Sequence, residues 1–399
     1  MKRVLFLSNI PSPYLTPLFK RLAQKPGWKL DVCYVSSWSE SVGWPEVPVQ
    51  HYGINEIEIL DRRFPAFSQI SIQLSAALAL LGRVLRDRPE YLVIYGYTRL
   101  PQVAALGWCL LTRLPFAIAG DATYYADKAT GLRKFLKKCW LGLISRYASA
   151  IIAVGRASRM FWEAYGARSE KIFNAPFAVD NDFFATESQK RKDAAAMFRQ
   201  SKNWEGKTIF LYVGRLIKRK NVELLVRAIQ QLGEQNMAAV IVGSGEERTA
   251  LEALAAGDPR IYFAGSASQA ELPFYYALAD VLVLPASAEP WGLVVNEAMA
   301  CGLAVITHWQ CGAALDLVTA DNGVSLRSFA VDELAAALKA IAADEQKLHW
   351  MQQRSREKIA NWSFENAALA IQQAVEVSSK REALLVKATA AQRDWEKPR

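Results

Sequence analysis

Short apolar, β-rich runs alternate along this chain with longer stretches of helical periodicity. In the first half the runs are VLFLS from Val4, LDVCYV from Leu30, YLVIYG from Tyr91, PFAIAG from Pro115 and AIIAVG from Ala150. Helical patterns fall between them, over Pro17–Gln24, Ser71–Arg86 and Leu132–Arg146. Such alternation predicts a parallel sheet covered by helices on both faces. The pattern breaks at a polar, Lys-rich stretch from Ala185 to Lys207 and then restarts. New strands read TIFLYVG from Thr208, AAVIVG from Ala238, IYFAG from Ile261, VLVLP from Val281 and AVIT from Ala304. The expected organisation is α/β, with two doubly wound Rossmann-like domains at 1–183 and 184–365. A helical segment at 366–399 follows, free to pack back on the first domain. In such sheets ligands sit at the carboxyl ends of the strands, here facing a central cleft.

A chain of 399 residues suits two cores better than one. The amino terminus does not read as a signal peptide, because its apolar core is only Val4 to Leu7 and no small-residue cleavage site follows. The longest apolar stretches, near Leu74 and Val103, fall short of the roughly 20 residues that cross a bilayer. A cytoplasmic protein is expected. Five cysteines without a CxxC pair argue against a disulfide framework or a zinc site. The three histidines, His51, His308 and His349, form no evident pair with a nucleophile. The net charge is +9, and its surplus lies in residues 1–185, where 23 Lys and Arg stand against 14 Asp and Glu. That asymmetry points to an anionic partner for the first half.

The stretch ASAEPWGLVVNEAMACG, from Ala286 to Gly302, places two carboxylates after an apolar strand. Glu289 precedes Pro290, which disfavours helix at Glu289. A helix is expected to begin at Gly292. The amides of Gly292, Leu293 and Val294 then form a mouth that suits a phosphate oxygen, with no Cβ at Gly292 to block it. Glu297 falls in the second turn, roughly 7 Å further along the axis. A carboxylate there suits a vicinal diol such as a ribose, while Glu289 reaches the group that the phosphate carries. Chance spacing of two glutamates remains the plainer alternative.

Two further loops support a phosphate site. In YVGRLIKRKNVELLVRAI a strand ends at Gly214, and Arg215 and Lys220 follow at a spacing that lets both converge on a diphosphate. Asn221 is the expected helix cap. A solvated basic loop is the ordinary alternative. In VGSGEERTALEAL, Gly243 and Gly245 form a turn against which a flat ring could lie.

In this order the three elements resemble the second domain of the retaining glycosyltransferases of family 4, the glycosyl transferases group 1, which have the GT-B fold. The resemblance implies that Gly214, Arg215 and Lys220, as a GR-x4-K loop, grip the nucleotide diphosphate. It further implies that Glu289 faces the donor sugar and Glu297 holds the ribose, as a Glu-x7-Glu pair. Gly265, in AGSASQAELPFYY, falls in the stretch that lines the nucleobase. The first domain departs from the family. Its first loop is NIPSPYL instead of a Gly-Gly turn, and Asp121 and Thr123 follow PFAIAG where a His is common. Asp121 could orient an acceptor hydroxyl or simply cap a strand. Asp180-Asn181-Asp182 is a DxD match, but it lies in the linker match, where a turn role is expected.

The implied function is transfer of a sugar, with retention, from a nucleotide diphosphate sugar to a hydroxyl. UDP-sugar is favoured over GDP-sugar, and no cofactor or metal is required. The acceptor expected is lipid-linked or a growing cell-surface polysaccharide. Arg133, Lys134, Lys137 and Lys138, among Phe135, Leu136 and Trp140, suit an anionic membrane surface on the inner face of the cytoplasmic membrane. They equally suit a core helix with a charged face. A GT-B-type sugar-nucleotide epimerase and a basic nucleic-acid-binding protein are the other readings. The second is disfavoured because no nucleic-acid motif is present.

Overall fold

The computed structural model of the chain describes residues 1–35, 55–58, 70–127, 129–233 and 236–378. His51 and the carboxyl-terminal part of the expected helical segment, 379–399, lie outside them. Two compact units result. The first comprises Met1–Tyr124, Lys128–Pro176 and Phe364–Arg399, and the second Tyr125–Asp127 and Phe177–Ser363. The main division thus falls at 176/177.

The first unit carries seven strands: β1 (Lys2–Ser8), β2 (Trp28–Tyr34), β3 (Asn55–Glu58), β4 (Tyr91–Tyr95), β5 (Phe116–Gly120), β6 (Ala150–Ala153) and β7 (Ile172–Asn174). All pair in parallel, in the order β3-β2-β1-β4-β5-β6-β7. Its helices are α1 (Thr16–Ala23), α2 (Ile70–Asp87), α3 (Leu100–Thr112), α4 (Gly131–Tyr147) and α5 (Arg156–Ala164). Alternate residues of the strands, such as Leu5, Leu92 and Ile118, share one core with the inner residues of α2, α3, α4 and α5. Those four helices therefore cover one face of the sheet.

The second unit begins with α6 (Asn181–Lys190) and α7 (Lys192–Ser201), so the Lys-rich stretch is helical. Then follow β8 (Thr208–Val213), α8 (Val222–Leu232), β9 (Met237–Val242), α9 (Arg248–Ala255), β10 (Ile261–Gly265), α10 (Leu272–Leu278) and β11 (Val281–Leu284). The unit continues with α11 (Leu293–Ala300), β12 (Ala304–His308), α12 (Gly312–Leu317), β13 (Gly323–Leu326), α13 (Val331–Ala342) and α14 (Glu345–Ile359). The parallel order is β10-β9-β8-β11-β12-β13. Every residue of β9 and β11 is buried, as expected of strands covered on both faces. Residues 364–378 are helical and return to the first unit, where Tyr91 and Ser378 exchange a buried hydroxyl hydrogen bond of 2.8 Å.

Both sheets reverse their strand order once. The reversal lies between β1 and β4 in the first and between β8 and β11 in the second. At such a switch point the loops leaving adjacent strands diverge and open a crevice at the carboxyl edge. The architecture is the GT-B one, two doubly wound Rossmann-like units.

Candidate active site

The switch point of the second sheet is built from the loops after β8 and β11. Gly214 ends β8 with its amide bonded to the Val242 carbonyl, 3.0 Å away. The chain then runs close to the loop after β9, where Leu216 donates to the Ser244 carbonyl at 2.8 Å. This approach leaves no room for side chains. A Cβ on Gly243 would lie 1.8 Å from the Gly214 oxygen, and one on Gly245 would lie 2.2 Å from the Leu216 oxygen. Both glycines are thus required by the neighbouring backbone itself. Gly265, at the end of β10, accepts from the Gly243 amide at 2.7 Å and extends the same stack of loops.

The tight turn Lys218–Lys220 is then tied to the loop after β11. Asn221 takes a left-handed conformation, and its side chain donates to the Pro285 carbonyl at 3.1 Å. It stands at the N-cap position of α8, as expected, but its side chain makes no capping bond. The Ser287 amide and hydroxyl both donate to the Arg219 carbonyl, at 2.8 and 2.9 Å. These bonds deliver Lys220 and Arg219 to Glu289. The Lys220 Nζ lies 2.6 Å from Glu289 Oε2, and the Arg219 guanidinium lies 3.2 Å from the same oxygen. Arg215 lies exposed one residue beyond Gly214, and its carbonyl accepts from the Tyr212 hydroxyl at 2.9 Å. Burial and the Glu289 charge push the Tyr212 phenol above its ordinary range.

Glu289 is also fixed from its other side. Its carbonyl accepts from Gly312, and that of Trp291 accepts from Ala313, both at 3.0 Å. The buried Cys311 thiol donates to the Trp291 carbonyl at 2.9 Å. Burial, with the nearby Glu289 charge, pushes that thiol up to about 12, so it stays a donor. Helix α11 starts where the sequence places it, with Gly292 as cap at φ +91°. The amides of Gly292, Leu293 and Val294 occupy its first turn, where intrahelical acceptors are lacking. Glu297 sits one turn further on, with no exposed surface, and accepts from the Tyr276 hydroxyl of α10 at 2.6 Å.

The structure therefore joins Lys220 to Glu289, two residues that the sequence assigned separately. It adds Arg219 as a second cation and Tyr276 as the partner of Glu297. Neither addition had a sequence signal beyond a basic run and an aromatic helix. A pocket of about 360 Å³ opens beside the Lys218–Asn221 turn. Its wall mixes Lys218 and Asn221 with the carboxylates Glu223 and Glu247 and the apolar Ile217, Leu251 and Phe329. At the end of β12, His308 is buried against Phe329, with ring centroids 3.8 Å apart. Its Nδ1 accepts from the Gln310 amide at 3.2 Å, and its Nε2 is buried without a partner. Burial lowers this imidazole to about 4.

The switch point of the first sheet has a different chemistry. Gln102 of α3 donates to the Asn9 side chain at 2.8 Å and to the Tyr95 carbonyl at 2.7 Å. Its oxygen accepts the amides of Thr98 and Arg99, which fills the capacity of the side chain. Asp121 follows β5 and lies near enough to Tyr95 that burial and its charge together push that phenol well above the ordinary value. The buried Thr123 hydroxyl has no partner. Asp180 of the DxD match caps α6 by accepting the Phe183 amide at 2.9 Å. Among the described residues no group of three or more His, Cys, Asp or Glu side chains is placed to hold a metal ion.

Residues 193–358 match the family described as Glycosyl transferases group 1. The chain is 23% identical over 339 residues to the sulfoquinovosyl transferase of Arabidopsis thaliana, covering 82% of this chain and 64% of that protein. It is 27% identical over 236 residues to a GDP-mannose-dependent alpha-(1-6)-phosphatidylinositol monomannoside mannosyltransferase of Mycolicibacterium smegmatis, covering 56% of this chain and 59% of that one. The chain thus spans less than two thirds of these curated relatives. Among solved structures, Anabaena HepE in complex with UDP superposes with a TM-score of 0.71 at 21% identity, covering 95% of this chain and all of that one.

Proposed function

Residues 193–358 are a glycosyl transferases group 1 segment in a chain of GT-B fold; from that premise we propose that the protein is a retaining, metal-independent hexosyltransferase. It moves a sugar from a nucleotide diphosphate sugar to a hydroxyl. The observation that carries this reading is the Lys220–Glu289 pair, 2.6 Å apart, on two loops of one switch point beside the first turn of α11.

Arg215, Lys220 and the amides of Gly292, Leu293 and Val294 bind the diphosphate, with Gly214 letting the loop turn away from β8. Lys220 stabilises the charge that grows on the departing phosphate, in the role a metal ion has elsewhere. Glu289, held by the same lysine, receives a hydroxyl of the donor sugar and orients its anomeric carbon. The bond from that carbon to the phosphate oxygen breaks, and the acceptor oxygen attacks from the same face. The phosphate oxygen that leaves takes the acceptor proton. Glu297 serves the ribose, which requires the nucleotide to reach a carboxylate now closed off by Tyr276. Gly243 and Gly245 shape the loops beneath the nucleotide, and Gly265 borders its base. Asp121 orients the acceptor.

UDP is the favoured nucleotide because the superposing HepE structure holds UDP. A GDP-sugar is second, because the mycobacterial relative is GDP-mannose-dependent. That relative acts on phosphatidylinositol monomannoside, which favours a lipid-linked acceptor over a free one. A growing cell-surface polysaccharide meets the same requirement. The protein then works in the cytoplasm, peripherally on the inner face of the membrane, with Arg133, Lys134 and Lys138 towards the leaflet; Lys137, expected with them, turns inward instead, its ammonium 5.3 Å from the Phe161 ring centre on α5. A thermal-shift screen against UDP-, GDP- and ADP-sugars, followed by mass spectrometry of products with lipid-linked acceptors, tests this. Stabilisation by one nucleotide class and an added hexose mass support it. Absence of stabilisation by any of them contradicts it.

A further inference from the structure

We infer that Asn296 and Trp291 are a positioning pair, which holds Glu289 and the first-turn amides of α11 in place by tying them to the two segments through which the chain enters and leaves the second unit. The inference rests on the reading of Glu289 and those amides as donor-binding groups. The loop that they belong to needs holding. Ala288, just before Glu289, has a left-handed backbone at φ +51°, and Gly292 closes the loop at φ +91°. For alanine that conformation is unfavourable and persists only where the surroundings impose it. The backbone supplies part of the restraint, because the Gly312 amide donates to the Glu289 carbonyl and the Ala313 amide to that of Trp291. The Trp291 side chain supplies the rest.

Trp291 is buried, and its indole Nε1 donates to Asn296 Oδ1 at 2.9 Å. Its ring stacks on Trp362, with centroids 4.9 Å apart. Asn296 has no exposed surface, and its Nδ2 donates to the Phe177 carbonyl at 2.8 Å. Phe177 opens the main segment of the second unit, and Trp362 stands one residue before its last, Ser363. Asn181, the middle residue of the DxD match, joins the two ends to each other. Its Nδ2 donates to the carbonyls of Ile359 and Trp362, at 3.1 and 3.2 Å. Neither helix propensity nor burial selects an asparagine at 296. Val295, Ala298 and Met299 around it are buried and apolar, and a leucine there would favour the helix and bury more apolar surface. The amide is explained by its two bonds, which satisfy a buried indole donor and a buried-side carbonyl at once. Asn296 also directly precedes Glu297, so the same bonds fix the turn of α11 that carries the second glutamate.

Amide hydrogen exchange and steady-state transfer assays on the full-length protein, with Trp291→Phe, Asn296→Leu and the double variant, test the pair. Trp291→Phe keeps a ring against Trp362 and removes the donor, while Asn296→Leu keeps the volume and removes the amide. Each single variant should speed exchange over residues 288–297 about tenfold or more, with β8 and β9 as protected as in the wild type. Each should also lower kcat by about ten- to a hundredfold and raise donor KM by less, because Lys220 and Arg215 still hold the diphosphate. The double variant should lose no more than the worse single one, since both side chains act through one bond. Wild-type exchange and kcat in folded single variants, or losses that multiply in the double variant, overturn the inference. Lost stability with kcat unchanged makes the pair structural only and overturns it equally. If Asn296→Leu does not fold, Trp291→Phe decides by the same readouts. A wild-type protein that transfers no sugar from any donor refutes the sugar-transfer reading instead, and the exchange measurements still decide whether the pair holds the loop.

Discussion

The two switch points of this molecule share a topology and differ in what they hold. Between β8 and β11 the loops present a lysine and an arginine against a glutamate, with Lys220 only 2.6 Å from Glu289. Between β1 and β4 the corresponding loops are joined by a neutral amide, Gln102, whose four hydrogen bonds are all satisfied internally. A fully bonded amide fixes a loop and offers little to a charged ligand. A partly exposed cation cluster held by one carboxylate has cationic capacity to spare for phosphate. One fold used twice therefore yields a cationic cluster at one edge and a mostly neutral edge at the other. Beside it, in the loop after β5, stand Asp121 and the buried, unpartnered Thr123 hydroxyl, the polar groups proposed to meet the acceptor.

The largest effect should come from the charged switch point. Lys220→Ala should lower kcat/KM by about a hundred- to a thousandfold, the usual cost of removing one group that stabilises departing charge. A change of less than about threefold in steady-state assays would break the comparison. Glu289→Ala should reduce kcat more than it alters donor KM, the split that the proposed role on the sugar requires; an unchanged kcat would remove that role. The packing beneath the site is next. Gly245→Ala places a methyl 2.2 Å from the Leu216 oxygen and should cost roughly 2–4 kcal/mol in urea unfolding. Wild-type stability would mean that the two loops are not in contact.

A pH effect of about 2–3 kcal/mol follows from His308, whose folded value is lowered to about 4 by burial. The unfolded imidazole titrates near 6.5, so between those values the unfolded chain binds the extra proton. Stability from this group is full above about 6.5 and falls as the pH drops towards 4. His308→Gln should flatten that slope in denaturation measured across the range, and an unchanged slope would remove His308 as its source. Glu297→Ala should raise donor KM about tenfold and strand the buried Tyr276 hydroxyl at about 1–3 kcal/mol. An unchanged donor KM with lost stability would leave Glu297 a structural partner of Tyr276 only. The smallest effect is at the neutral switch point, where Asp121→Asn should change acceptor KM by a few fold and leave donor KM alone.

The strands on which both edges rest were legible because each is a compact apolar run with a Gly or polar break after it. The start of α11 was legible from Pro290-Trp291-Gly292. Three strands were not. NEIE (β3) alternates with charge, IFN (β7) is three residues long, and GVSL (β13) has only two apolar positions and no neighbouring run. The Lys-rich stretch concealed α6 and α7, because α6 buries only Phe184 and Ser188 and α7 only Ala195, too few to mark a periodic face. The site was half legible. Glu289 and Lys220 were named from their own loops, but across a sequence separation of 69 nothing local signals that they meet. Arg219 and Tyr276 depend on tertiary contacts that periodicity does not record, whereas Lys137, four residues before Leu141 and seven before Ile144, lies on the inner face that the helical period marks.

The central claim is that Lys220, Arg215 and the first amides of α11 hold a diphosphate. Calorimetric titration of the full-length protein with UDP and with UMP, repeated on Lys220→Ala, tests it most directly. UDP should bind the wild type clearly more tightly than UMP, and the difference should vanish in the variant. Equal binding of UDP and UMP by the wild type, or a preference for UDP that survives in Lys220→Ala, would contradict it.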